Sequence, residues 1–95
     1  MKNDYLQVMI EAIRQNGYKM QTMVAIEEMS ELTKELVKFM RGENNTDAIA
    51  EEIVDVEIML RQMKIIYGIK DEDVEKLMVI KLERLKERLE GRKNG

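Results

Sequence analysis

Apolar residues recur at three- and four-residue intervals through most of the chain, and glycine breaks the pattern at Gly17, Gly42, Gly68, Gly91 and Gly95. No proline interrupts the segments between. Strong helix formers fill those intervals, and the periodicity predicts four helices, near 4–16, 19–41, 47–67 and 72–90. Thr46 and Asp71 are the expected N-caps, with Gly42 and Gly68 as C-terminal stops. No composition shift, low-complexity tract or repeat divides the chain, so residues 1–95 are read as one domain whose last five residues, 91–95, fray. The expected class is all-α, a four-helix, bundle-like protomer.

The third helix carries apolar residues on two sides. At about 100° per residue, Ile49, Ile53, Val56, Leu60 and Tyr67 form one stripe, and Val54, Ile58 and Ile65 form a second nearly opposite. A helix apolar on two faces needs neighbours on both, and one short chain supplies few. The expectation is a homo-oligomer, either a homodimer or a homotetramer. The alternative is that the first helix alone covers one stripe.

Composition narrows the chemistry. The 95 residues include no His, Cys or Trp. That excludes zinc sites of the usual N/S type, nucleophiles activated by histidine, thiol redox chemistry and disulfides. The net charge of −3 hides an uneven distribution. Residues 27–57 hold ten acidic and three basic side chains, while residues 58–95 hold seven acidic and ten basic. A general polyanion binder presents a net basic surface, so no nucleic-acid partner is expected. No apolar run approaches the roughly 20 residues of a membrane span, and the N-terminus lacks a signal-peptide h-region, so no membrane association and a soluble, cytoplasmic protein are expected.

The acidic middle is ordered. Glu27, Glu28 and Glu31 fall within five residues and Glu35 adds another turn. Glu27/Glu31 and Glu31/Glu35 are i,i+4 like-charge pairs, each unfavourable by about 0.2–0.5 kcal/mol on an isolated helix. The third helix repeats the theme with Glu51, Glu52 and Asp55. Glu28/Glu31 and Glu52/Asp55 both have i,i+3 spacing, which puts each pair on one helical face. Glu52 and Asp55 share an angular sector with Ala48, Met59, Met63 and Ile66, so they point inward or at an apolar edge. Desolvated anions must be paired, protonated or bound to metal. An all-oxygen carboxylate site suits a hard cation, Mg2+ or Mn2+. The competing reading makes these acids a solvated helix face with Lys34 and Lys38 as surface partners.

The motif Glu27-Glu28-Met29-Ser30-Glu31, followed on the next helix by Glu52-Ile53-Val54-Asp55, resembles the signature of the MazG-like all-α nucleoside triphosphate pyrophosphohydrolases, a group related to dimeric dUTPases. The resemblance covers about residues 20–67, and the basic fourth helix more loosely. It implies a Mg2+-dependent hydrolase that cleaves the α–β phosphoanhydride of a nucleoside triphosphate, releasing the monophosphate and pyrophosphate. It also implies Glu28, Glu31, Glu52 and Asp55 as metal ligands, with Glu27 behind them orienting water. Mn2+ is the alternative metal.

Such a substrate calls for cations from the protein. Lys34, Lys38 and Arg41 on the second helix and Lys81, Arg84 and Arg88 on the fourth are the candidates for phosphate contact, and Lys81 and Arg88 border the stripe of Val74, Met78, Leu85 and Leu89. Tyr5, Tyr18, Phe39 and Tyr67 are candidates for base stacking and equally for the core. Two other functional classes fit the same chain: a non-enzymatic helical self-association module, and a protein that binds nucleotides without turnover.

Overall fold

The computed structural model describes residues 3–94. It is all-α, with α1 at Asn3–Asn16, α2 at Tyr18–Met40, α3 at Thr46–Ile66 and α4 at Asp71–Asn94. The bundle-like, four-helix architecture expected from the periodicity is the one observed. Among the described residues, no helix is long and apolar enough to cross a membrane.

Glycine sets the helix ends through backbone geometry. Gly42 has φ +100° and Gly68 φ +65°, the left-handed region that side chains with a Cβ avoid. At Gly42 the amides of Gly42 and Glu43 donate to the carbonyls of Phe39 and Lys38, at 3.0 and 3.1 Å. At Gly68 the amide of Ile69 donates to the Lys64 carbonyl at 2.9 Å. Both helices therefore close with the same two reversed hydrogen bonds, which satisfy carbonyls that a bare terminus leaves open.

Most helix ends fall within a residue of the sequence reading, and at three of them a cap or stop differs. Asn45, one residue before Thr46, is the N-cap of α3: its carbonyl accepts the Ile49 amide at 3.0 Å. Its side chain turns back to donate to Glu35 and makes no cap. The Lys70 carbonyl likewise takes the first amides of α4, from Asp73 and Val74. Asp71 is thus the first helical residue, and its carboxylate accepts a hydrogen bond from Lys64 Nζ at 2.7 Å. Finally, α4 continues past the expected stop near residue 90 to Asn94, because Gly91 does not adopt a positive φ. Of the segment 91–95 expected to fray, Gly95 lies outside the described residues.

Packing is concentrated on α2 and α3, with α1 leaning on both; α4 packs on none of them to a comparable degree. The α2–α3 pair is antiparallel. Gln21 sits against Gln62, Thr22 against Tyr67, and Glu35 against Asn45 at the other end. Of the buried residues described, Gln21, Ala25, Met59 and Gln62 lie on these two helices and Met9 lies on α1. Ala25, only 2 % exposed, is the most deeply buried of them. The α3 face turned inward is the sector of Ala48, Glu52, Met59 and Gln62. The broader stripe of Ile53 and Leu60 and the second stripe of Val54, Ile58 and Ile65 both stay exposed. Covering by α1 alone therefore leaves much of both stripes open.

A polar ladder is built into the seam between α2 and α3. Gln21 donates to Gln62 Oε1 at 2.7 Å, and Asn16 donates to Gln21 Oε1 at 3.0 Å. Both glutamines are 5 % exposed, so each depends on the other for its hydrogen bond. Replacing Gln21 with Leu alone leaves the Gln62 acceptor unsatisfied and is expected to cost about 1–3 kcal/mol. The double substitution Gln21→Leu/Gln62→Leu is expected to recover most of that loss. Urea unfolding of the two single variants and the double variant measures the coupling; additive losses would show that the pair does not act as a unit.

Candidate metal centre

Glu28 lies on α2, three residues after buried Ala25, and Glu52 and Asp55 lie on α3, one helical turn apart. The antiparallel register that matches Gln21 to Gln62 also sets Glu28 opposite Asp55, so the three side chains meet where the helices face each other. One carboxylate oxygen from each lies within 4.8 Å of the others. Glu28 and Glu52 are half-buried and Asp55 is exposed, so the cluster opens to solvent on one side. Glu52 Oε2 is fully buried and has no hydrogen-bond partner.

Electrostatics in the cluster are unfavourable to anions. Burial pushes the Glu28 carboxyl above the usual glutamate range, and the charges of Asp55 and Glu52, a hydrogen bond with Asp55, and the charge of Glu31 push it further. Burial also raises Glu52, followed by the charges of Asp55, Glu31, Glu35 and Glu51. The charged neighbours that act on both groups are all carboxylates. This is the condition in which a carboxylate cluster protonates or takes up a cation. An oxygen-only donor set with one open side suits Mg2+ or Mn2+, which keep part of their shell for water or substrate oxygens. Residues Glu28, Glu52 and Asp55 therefore fit such an ion by chemistry and by convergence.

The remaining sequence candidates are placed unevenly. Glu31 is exposed on α2, outside the three-residue cluster yet close enough for its charge to act on both Glu28 and Glu52. Glu27 is exposed and is not part of the converging group. Lys38 is paired with Glu35 at 3.2 Å, and Lys34 also acts on Glu35. Glu35 is thereby held below the usual range, first by its hydrogen bond from Asn45 and then by Lys38. Lys81 and Arg84 are exposed on α4 and are not brought to the carboxylates by packing within the protomer.

Asn45 is the residue that sequence reasoning missed. Its amide nitrogen bridges the Glu35 carbonyl and Glu35 Oε1, at 2.8 and 3.0 Å, which ties the α2–α3 loop to the acidic end of α2. Its own Oδ1 is buried without a partner. The only signal for it was the Asn-Asn dipeptide before a predicted helix, which reads as a cap.

No family model matches the chain, and neither a curated protein nor a solved structure matches it.

The raised carboxyls have a consequence for stability against pH. In the unfolded chain both glutamates ionise near 4.5; in the folded protein they ionise at higher pH, so the native state keeps protons that the unfolded state has lost. Their contribution is present in full below the unfolded value and is lost as pH rises through the folded value. Glu11, Glu35 and Asp71 are shifted downward and act with the opposite sign, but they cancel when wild type is compared with a single variant. Metal-free Glu52→Gln is therefore expected to match wild type at about pH 4 and to melt at a higher temperature by about pH 8. A difference that does not grow with pH would show that Glu52 carries no electrostatic strain.

Proposed function

We propose that this protein is a Mg2+-dependent nucleoside triphosphate pyrophosphohydrolase, with Mn2+ as the alternative metal, acting on cytoplasmic nucleotides as a homo-oligomer. The observation that carries the reading is the convergence of Glu28, Glu52 and Asp55 from two helices, with a buried Glu52 oxygen left without a partner. The resemblance of the paired acidic motifs to the MazG-like group supplies the reaction class. Glu28, Glu52 and Asp55 are the metal ligands in this reading, and Glu31, whose charge reaches the cluster, completes the set.

When bound, the divalent ion would neutralise triphosphate charge and acidify a coordinated water. The carboxylates hold the ion in place, while the exposed side of the site admits the triphosphate. Water attacks the α-phosphorus in line with the bridging oxygen, the bond from that phosphorus to the bridging oxygen breaks, and pyrophosphate departs with it. The proton lost by water passes to a carboxylate outside the ligand set, for which Glu27, exposed on the same helix, is the candidate. Four acids without a cation would repel this substrate.

The exposed apolar stripes favour a second reading, in which the chain is a self-association module whose acids have no catalytic part. The two readings separate in one experiment. The hydrolase reading expects Mg2+ or Mn2+ to raise the melting temperature progressively with concentration, as any ligand selective for the native state does. It also expects pyrophosphate release from a panel of nucleoside triphosphates. Glu52→Gln is expected to lose the metal-dependent rise and to lower turnover by a factor of about 100 or more. No metal-dependent rise in wild type, or full turnover in Glu52→Gln, would remove the metal site from the account; binding of triphosphate without pyrophosphate release would leave nucleotide binding alone.

A further inference from the structure

A folded protein of 11.2 kDa exposes roughly 5,700 Å2 when compact, whereas this protomer exposes 7934 Å2. Its radius of gyration is 17.0 Å, against about 12 Å for a compact chain of this length. The excess surface, about 2,200 Å2, is within the range that one partner contributes to a stable obligate interface. Much of it belongs to α4, the longest helix, which has little packing on the other three.

Along α4 an exposed apolar stripe is bordered on one side by cations. Val74, Met78, Leu82, Leu85 and Leu89 share one stripe, and all but half-buried Val74 are exposed. Lys81, Arg84 and Arg88 line one rim of that stripe, while Glu83, Glu87 and Glu90 stand on the opposite side together with Lys76 and Lys86. The matching surface is on α3: Val54 and Ile58 form an exposed apolar strip, beside which Ala50, Glu51, Val54 and Asp55 line a shallow groove. One surface is apolar with a cationic rim, and the other is apolar with an anionic rim that includes a carboxylate of the candidate metal centre.

Within one protomer the two surfaces do not meet. The Lys64–Asp71 ion pair and the reversed turn at Gly68 fix the start of α4 against the end of α3. We infer that α4 is an exchanged arm: its apolar stripe seats on the Val54/Ile58 strip of a second copy of this chain, and its Lys81/Arg84/Arg88 rim completes the carboxylate site of that copy as the contact for substrate phosphates. Two such contacts related by a two-fold axis close a dimer and cover both surfaces. The arrangement accounts for the cations that a triphosphate needs, which the protomer's own fold does not deliver to its own acids. The docking stands on surface area and complementarity alone; the role given to the cations also rests on the hydrolase reading.

Two experiments on the full-length chain test the two parts separately. Sedimentation equilibrium is expected to give a dimer or a multiple of it for wild type, and a monomer of unchanged helical circular dichroism for Leu82→Glu/Leu85→Glu. The charge reversal Lys81→Glu/Arg84→Glu/Arg88→Glu is expected to weaken association at least about tenfold at low ionic strength, with a smaller effect in high salt. A monomeric wild type, or a Leu82→Glu/Leu85→Glu variant that associates like wild type, overturns the docking whatever the metal does. Complementation then tests the shared site. Glu52→Gln protomers and Lys81→Ala/Arg84→Ala/Arg88→Ala protomers, each inactive alone, are expected on equal mixing and subunit exchange to recover about a quarter of wild-type pyrophosphate release, since half the dimers then hold one intact site of two. No recovery from exchanged dimers overturns the sharing of the site. A dimer that never responds to metal would sink the hydrolase reading and leave the docking intact.

Discussion

The antiparallel seam between α2 and α3 forces anions together and provides no cation to compensate them. The Gln21–Gln62 hydrogen bond, one turn from buried Ala25, fixes that register. The same register stacks Glu28 against Glu52 and Asp55. Shifting α3 by one residue would rotate the acids about 100° away from the seam and unpair the glutamines. The polar pair that specifies the packing therefore also places the carboxylates, and their mutual repulsion is a cost the fold sustains at that point. A bound divalent cation is the simplest physical reason for such a cost.

A chain this small buries too little on its own to form a large core. Only Met9, Ala25 and Met59 are buried apolar residues among those described, and no side chain is fully enclosed. The apolar material lies instead on stripes of α3 and α4 that face outward. The candidate site and one exposed stripe share a helix: α3, which bears Glu52 and Asp55, also bears Val54 and Ile58, one turn or less away. Whatever seats on that strip lies beside the open side of the carboxylate cluster.

Much of this was legible in the sequence, for identifiable reasons. Helix existence followed from glycine punctuation, because Gly42 and Gly68 are required where the backbone reverses into positive φ. The acids of the cluster stood out because like charges at helical spacing oppose helix stability and so demand another explanation. The caps were displaced by one residue because Asn45 and Lys70 cap through backbone carbonyls, while the Asn45 side chain, of a type that favours caps, is taken by Glu35. The face of α3 that packs was legible as the sector of Ala48, Met59, Met63 and Ile66 beside its largest apolar stripe, but what it packs against was not. The seam is decided by Gln62 finding Gln21, a partner 41 positions away, and periodicity on one helix contains nothing about the other. The cations of α4 could be read as an edge of its apolar stripe, yet what they face depends on where α4 points, and that is set by the short turn at Gly68 and the Lys64–Asp71 pair.

The central claim is that side chains from α2 and α3 hold one divalent ion between them, and crystallography at the manganese absorption edge tests it most directly. Crystals grown with Mn2+ are expected to show an anomalous peak between the carboxylates of Glu28, Glu52 and Asp55, within coordination distance of an oxygen from each. The peak is expected to vanish in Asp55→Asn crystals grown under the same conditions. A wild-type crystal soaked in millimolar Mn2+ with no density among these three residues, or with the ion held elsewhere, would contradict the account.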